Sequence, residues 1–362
     1  MSAAGLSFQR RPIRVAITSG DPNGIGPEVA LKAAARALGL TDEGYGEVSR
    51  RNLALVLVGP RTIWRHALQV CHWQGTPPPE VDALATPGPD ARPLPLPPLS
   101  TWDPAMAPAP RIRPGKVAAD AARSAYASIV AAASAAMNGH VNAMVTAPIN
   151  KEAFHLAGIR EPGHTELLAH LTHARRYAMM LFGRRIRVVL ATRHVPISQV
   201  PRALTEDALE EAILLLAQAL PWMGFAAPRI GVCALNPHAG DGGAIGTEEQ
   251  TLIAPALARL RKKLPPGVAL EGPIPADAIF YRHWQGDFQA VVAMYHDQGL
   301  GPLKMASFND GVNLTLGLPI IRTSPDHGTA FDLAGRGLAD PRSTLSALRW
   351  AIRLARRPNP WA

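Results

Sequence analysis

The chain has 362 residues, of which 47% are hydrophobic and 18% are charged, so it can bury one large core or two smaller ones. No apolar run reaches the roughly 18 to 20 residues that a transmembrane helix needs, and the first residues contain no apolar segment before a cleavage site, so we expect a cytoplasmic protein that binds no membrane. Two widely separated cysteines, Cys71 and Cys233, argue against a disulfide framework and against a thiolate metal site.

The net charge of +9 raises the question of nucleic-acid binding, because Lys and Arg side chains neutralise phosphates. The basic residues are scattered in short pairs, without interleaved aromatic residues or a helix-turn-helix signature. We therefore predict no nucleic-acid partner. A non-catalytic nucleic-acid binder is kept as the alternative from another class, and the salt dependence of DNA binding would distinguish the two.

Short β-branched runs alternate with Ala/Leu-rich stretches of helical period, a pattern that predicts an α/β fold with a mostly parallel sheet covered by helices. A helix that starts at Pro27 follows the first run, and a Gly-rich loop joins the two. A long Ala-rich helix is predicted over 117–137, and another helix begins after Thr205 as its N-cap. The predicted strands cover 14–18, 53–58, 141–145, 187–192, 230–235 and 290–295.

Residues 75–114 are very rich in proline, which excludes regular helix and predicts a mobile surface excursion without chemistry. The Gly-rich loop at 19–28 fits neither G-x-G-x-x-G nor the P-loop pattern. If a dinucleotide binds, it does not bind in the Rossmann manner. The alternative interpretation of this loop is a tight turn whose glycines need positive φ.

Three histidines lie just beyond the carboxyl ends of predicted strands: His194, His238 and His296. Ligands of open α/β sheets bind at that edge, and three neutral imidazoles there would hold a divalent ion with an open position for substrate. The alternative is three unrelated core or surface histidines.

Polar residues that could hold an anion form a second set. His164 and Thr165 follow a Pro-Gly turn, and Lys304, Asn313 and Arg322 recur across a strand-like segment. Lysine is rare in this chain, with six against 31 arginines, and Lys151 also falls inside a motif-like segment. For both Lys151 and Lys304 the alternative is a solvated surface lysine.

The motifs combine in order from about residue 13 to 350. They include GDPNGIGPE, TAPINKEAFHLAG, PGHTELLAHL, LATRHVPI, LNPHAGDGG, GPIPAD, MYHDQGLGPLK and GVNLTLGLPIIRTSPDHGTAFDLAGRGLAD. This series resembles the 4-hydroxythreonine-4-phosphate dehydrogenases of vitamin B6 biosynthesis, which are similar in fold to the isocitrate and isopropylmalate dehydrogenases. The resemblance implies two α/β/α subdomains with a cleft between them. The first covers 1–147 plus 316–362 on the cofactor side, and the second covers 148–315 with the metal and the dimer interface.

The same resemblance implies a homodimer with its active site at the subunit interface. It implies a metal site of His194, His238 and His296, and substrate contacts from His164, Thr165, Lys304, Asn313 and Arg322. Through the more distant dehydrogenases, it also implies a site for the adenosine half of NAD or NADP at His327, Gly328, Thr329, Ala330 and Asp332.

The implied reaction is oxidation of 4-phosphooxy-L-threonine by NAD or NADP, with one divalent ion (Zn, Mg or Co). The product, 2-amino-3-oxo-4-phosphooxybutanoate, loses CO2 to give 3-amino-2-oxopropyl phosphate, a precursor of pyridoxine 5'-phosphate. Asp297, Asp277 and Lys304 are the candidates for the catalytic base, and the residues do not decide among them. Oxidation of 4-phospho-D-threonate or phosphoerythronate by a paralogous enzyme is the alternative.

Overall fold

The computed structural model describes residues 12–40, 52–81, 96–104 and 109–362. The strands in these ranges are β1 (Ile13–Thr18), β2 (Leu53–Val58), β3 (Leu99–Trp102), β4 (Ala143–Thr146), β5 (Ala178–Phe182), β6 (Arg187–Leu190), β7 (Arg229–Cys233), β8 (Ala269–Ile274), β9 (Ala290–Ala293), β10 (Val312–Leu316) and β11 (Arg322–Pro325). The helices are α1 (Gly26–Ala37), α2 (Arg61–Val70), α3 (Ala119–Met137), α4 (Lys151–Leu156), α5 (His164–Leu171), α6 (Val200–Ala203), α7 (Glu206–Met223), α8 (Ala254–Leu260), α9 (Ala276–Gln285), α10 (His296–Ser307) and α11 (Arg342–Leu354).

The described strands form one 11-stranded sheet in the order β3-β2-β1-β4-β11-β10-β5-β6-β9-β7-β8. The strands β3, β2, β1, β4 and β11 are mutually parallel, and so are β6, β9, β7 and β8. Antiparallel pairs join the two blocks, because β10 runs against β11 and β5, and β5 runs against β6. The predicted α/β class is confirmed.

All six predicted strands are present, with ends that differ by a few residues at most. Strand β2 reads LALVLV and is buried at every position, as expected for an interior strand covered on both faces. The predicted helices are also present. Pro27 lies in the first turn of α1, and the Thr205 side chain caps α7 by accepting a hydrogen bond from the Ala208 amide at 3.2 Å.

The prediction of a surface excursion over 75–114 is wrong for part of that segment. Leu99–Trp102 form the edge strand β3 with a buried Leu99, and the Leu55 amide donates to the Pro98 carbonyl at 2.9 Å. Proline cannot donate a backbone hydrogen bond, but it can accept one, and an edge strand needs partners on one side only. Residues 82–95 and 105–108 of the same segment lie outside the described residues.

One hydrophobic cluster runs through both parallel blocks, from Val15 on β1 to Val291 on β9. The division into subdomains at 147/148 and 315/316 therefore stays a prediction. No helix in the described ranges is long and apolar enough to cross a membrane.

Candidate active site

The three strand-end histidines follow three neighbouring strands. Strands β6, β9 and β7 are adjacent and parallel, so their carboxyl ends share one edge of the sheet. His194 follows β6, His296 is the first residue of α10 after β9, and His238 follows β7. The predicted position of each histidine after a strand is confirmed.

His194 and His296 face each other, with ring centroids 5.6 Å apart. Burial, followed by the charges of Lys151 and His296, lowers the pKa of His194, which favours the neutral imidazole that a metal ion requires. The Nδ1 atom of His296 lies 2.7 Å from Oδ1 of Asp297. A carboxylate at that distance orients a ring whose other nitrogen binds a metal, an arrangement common around metal-bound histidines.

His238 does not join this pair within one chain. Among the described residues, no group of three His, Cys, Asp or Glu side chains could hold a metal ion. His238 is exposed on the loop 237–243, where its φ of 51° and those of Ala239 and Asp241 lie in the left-handed region. The loop is fixed at its base by Glu249, whose Oε1 accepts from the amides of Leu235 and Asn236 at 2.8 and 2.7 Å. The structure thus brings two of the three predicted ligands together and holds the third on a constrained, outward-facing loop.

Arg322 is the largest of the fully buried side chains and has 2% of its surface exposed. Its guanidinium donates from Nε and Nη2 to Oγ1 of Thr146, at 3.0 and 2.7 Å, and from Nη1 to Oγ1 of Thr315 at 3.0 Å. In the ranges that the structure describes, no carboxylate forms an ion pair with it. Burial lowers the pKa of Arg322 to about 9, and the nearby charge of Glu166 acts in the opposite direction. It is a buried cation held by two hydroxyls.

His164 begins α5 beside Arg322. Its Nε2 atom is buried and has no hydrogen-bond partner among the described residues. Burial and the charges of Arg322 and Lys151 place the pKa of His164 well below its usual range, so the ring is neutral. Thr165 is buried in the first turn of the same helix.

Asn313 pairs with Ser324 across β10 and β11, and Thr315 follows it two residues later on the same face of β10. The buried Oδ1 of Asn313 has no partner in the described part of the chain. Asn313, Thr315 and Arg322 thus place two hydrogen-bonding groups and one cation close together on these two strands.

The three candidate bases lie in different surroundings. Lys304 forms an ion pair with Asp326 at 2.8 Å. Asp297 is 89% exposed and bonded to His296. Asp277 is exposed in the first turn of α9, and no described hydrogen bond or ion pair connects its side chain to the histidine pair.

The predicted cofactor segment at 327–332 contacts the Gly-rich loop. The Ile25 amide donates to the Thr329 carbonyl at 2.9 Å, and a Cβ on Gly24 would lie only 2.8 Å from that oxygen. Only glycine permits this close approach. In the same segment, Nδ1 of His327 lies 3.0 Å from the Gly328 carbonyl oxygen. Ala330 has a positive φ of 40°, and the Asp332 side chain is exposed.

Several residues at the site escaped the sequence analysis: Thr146, Thr315, Asp326 and Glu166. Thr146 directly follows a predicted strand, so its position was a usable signal. Asp326 also lies within a motif, in SPDHG, but the spacing alone does not pair it with Lys304.

Comparison with known proteins shows which protein family this chain resembles along most of its length. The family described as "Pyridoxal phosphate biosynthetic protein PdxA" matches residues 52–351. A 4-hydroxythreonine-4-phosphate dehydrogenase of Desulfosudis oleivorans is 45% identical over 94% of this chain and 96% of its own length. A D-threonate 4-phosphate dehydrogenase of Cupriavidus necator is 42% identical over 95% and 97%. The crystal structure of 4-hydroxythreonine-4-phosphate dehydrogenase from Klebsiella pneumoniae superposes with a TM-score of 0.78 at 39% identity, covering 97% of this chain and 100% of that chain.

Proposed function

Because the chain belongs to the PdxA family of pyridoxal phosphate biosynthetic proteins, we propose that it oxidises 4-phosphooxy-L-threonine with NAD or NADP. The product is 2-amino-3-oxo-4-phosphooxybutanoate, which decarboxylates to 3-amino-2-oxopropyl phosphate. The enzyme acts in the cytoplasm as a homodimer on a phosphorylated small molecule, without nucleic-acid or membrane partners.

The observation that carries this proposal is the buried Arg322, which forms no ion pair with any carboxylate in the described part of the chain. A guanidinium out of water is costly unless an anion neutralises it, and it matches phosphate and carboxylate through two parallel hydrogen bonds. The unpaired Nε2 of His164 and Oδ1 of Asn313 add hydrogen-bonding capacity on the same side. An oxyanion of the substrate accepts from Arg322, and from Nε2 of His164 when the neutral ring carries its proton there, whereas Oδ1 of Asn313 accepts from a hydroxyl or amino group of the substrate.

The residues present fit a divalent metal ion (Zn, Mg or Co) in part. His194 and His296 supply two neighbouring imidazoles, the second oriented by Asp297. The third ligand, His238, is exposed on its own chain, so a second copy of the chain would have to present it. A bound ion would lower the pKa of the substrate hydroxyl and polarise the new carbonyl.

The chain's own side chains have distinct roles in this proposal. The substrate is bound by Arg322, His164, Thr165 and Asn313. Lys304 adds a positive charge, and its ion pair with Asp326 positions it. Asp297 orients His296 through Oδ1. The second carboxylate oxygen of Asp297, Oδ2, then accepts the proton of the substrate hydroxyl. Asp277 remains the other candidate for this base, because Lys304 acts here as a cation.

The cofactor is proposed to lie against the segment 327–332. This segment is exposed at Asp332, where the adenosine ribose would bind, and it is braced by the Gly-rich loop.

A steady-state assay tests the function directly. Purified protein is given 4-phosphooxy-L-threonine or 4-phospho-D-threonate, with NAD or NADP, before and after treatment with a chelator. We expect chelator-sensitive reduction of the nicotinamide, with the higher kcat/KM for 4-phosphooxy-L-threonine. A higher kcat/KM for the threonate would instead assign the activity named for the Cupriavidus relative, and no turnover of either would refute the proposal.

A further inference from the structure

Lys151 belongs to a motif-like segment whose role the proposed function leaves open. It is the first residue of α4, and the Asn150 side chain caps this helix by accepting from the Ala153 amide at 2.7 Å. The cap fixes where the Lys151 side chain leaves the backbone. Lys151 is exposed, and within the described ranges its ammonium forms no hydrogen bond or ion pair.

The backbone before Lys151 is tied to the Arg322 site. Strand β4 ends at Thr146, the residue that accepts two hydrogen bonds from Arg322. Two residues later the Pro148 carbonyl accepts from the Asp21 amide at 2.8 Å, which anchors the loop to the Gly-rich segment. The loop that delivers Lys151 is thus braced on both sides.

The side chain itself reaches the start of α5. A Cβ on Gly163 would lie 3.8 Å from Cε of Lys151, and Gly163 immediately precedes His164. The charge of Lys151 is also among the causes that lower the pKa of His164. The Lys151 side chain therefore lies near the proposed substrate residues at the start of α5.

A lysine placed in this way raises a local excess of positive charge. Its charge and that of the buried Arg322 both act on His164, while Oε2 of Glu166 lies 3.4 Å from the Cβ position of Gly163 and supplies one negative charge. A solvated surface lysine would gain nothing from such surroundings, whereas an oxyanion would be bound by charge-assisted hydrogen bonds.

We propose that Lys151 is a further substrate-binding residue that donates hydrogen bonds to an oxyanion of the substrate, its phosphate or its carboxylate. This inference rests on the proposed function and deepens it. Lys151 contacts the anion from the loop after β4, while Arg322 binds the substrate from β11 within the sheet.

Lys151→Gln tests the contact, Lys151→Arg keeps the charge, and Lys262→Gln is the matched control at another exposed lysine without an ion pair in the described chain. Losing a charge-assisted contact should lower kcat/KM for the phosphorylated substrate about 10- to 100-fold, mainly through KM, with KM for the nicotinamide cofactor nearly unchanged. Lys151→Arg should recover part of the loss, and Lys262→Gln should match the wild type.

Two inhibitors separate the sources of the oxyanion. If Lys151 holds the phosphate, Lys151→Gln weakens competitive inhibition by inorganic phosphate but not by unphosphorylated threonate. If it holds the carboxylate, the effects are reversed, and either pattern supports the proposal. Wild-type kinetics and both inhibition constants unchanged in a folded Lys151→Gln protein would overturn it.

Calorimetric titration of inorganic phosphate and of threonate into the wild type and Lys151→Gln keeps this test separate from the proposed reaction. If the wild type binds one of these anions more tightly than the variant but does not turn over either phosphorylated acid, the proposed function fails and the role of Lys151 in binding anions stands.

Discussion

Replacing Arg322 by methionine separates a binding arginine from a structural one. Burial lowers the pKa of Arg322 from its ordinary value to about 9, and this shift corresponds to about 5 kcal/mol of free energy against the charged form in the folded protein. The folded-state pKa lies below the unfolded value, so this cost is fully present below pH 9 and is relieved progressively as the pH rises above it.

Methionine removes the buried charge but also the three hydrogen bonds to Thr146 and Thr315. At about 1 kcal/mol for each lost bond, the variant should be about 2 kcal/mol more stable than the wild type at pH 7.5. Its kcat/KM on the phosphorylated substrate should fall by about 100-fold or more, because the anion loses its buried cation.

The assay combines urea denaturation at pH 7.5 with steady-state kinetics. Saturating substrate should stabilise the wild type by a few kcal/mol at about 100 times its Kd, and should stabilise the variant far less. Arg187→Met serves as the control, because Arg187 is a partly buried arginine at the amino end of β6, away from the carboxyl end of the strand that leads to His194. An Arg322→Met protein that is several kcal/mol less stable yet retains wild-type kcat/KM would show that Arg322 is structural.

Three other variants address the metal ligands and the Gly-rich loop. Asp297→Asn should weaken metal binding about 10- to 100-fold in a metal titration, because His296 loses its orienting carboxylate; unchanged affinity would contradict that role. His238→Ala should lose bound metal and activity but stay folded, whereas the control His173→Ala, at another exposed left-handed histidine, should keep both; full metal content in folded His238→Ala would exclude it as a ligand. Burial raises the pKa of Asp21 to about 6, so its ionisation destabilises the folded state progressively from pH 4 to pH 6 and fully above. Asp21→Asn should therefore gain up to about 3 kcal/mol in urea denaturation at pH 8 and little at pH 4, and an equal gain at both would refute this assignment.

The local sequence pattern determined which segments form strands and helices and which residues follow the strands. Buried runs such as 53–58 and 290–293 are strands because their β-branched and leucine residues suit a sheet covered on both faces, and Thr205 caps its helix through its own side chain. The placement of His194, His238 and His296 after strands also followed from sequence, since a strand and the residue that ends it are neighbours in the chain.

Only the tertiary structure decided which of these residues meet. His194 and His296 face each other because β6 and β9 are paired, although 102 residues separate the two histidines in the chain. His238 does not join them, because it lies on a loop with positive φ values whose base is fixed by Glu249. The partners of Arg322 come from β4 and β10, and the Lys151 side chain lies against Gly163, the residue before His164. Such contacts depend on strand order and on side-chain direction between distant segments, and neither is encoded in the spacing of residues along the chain.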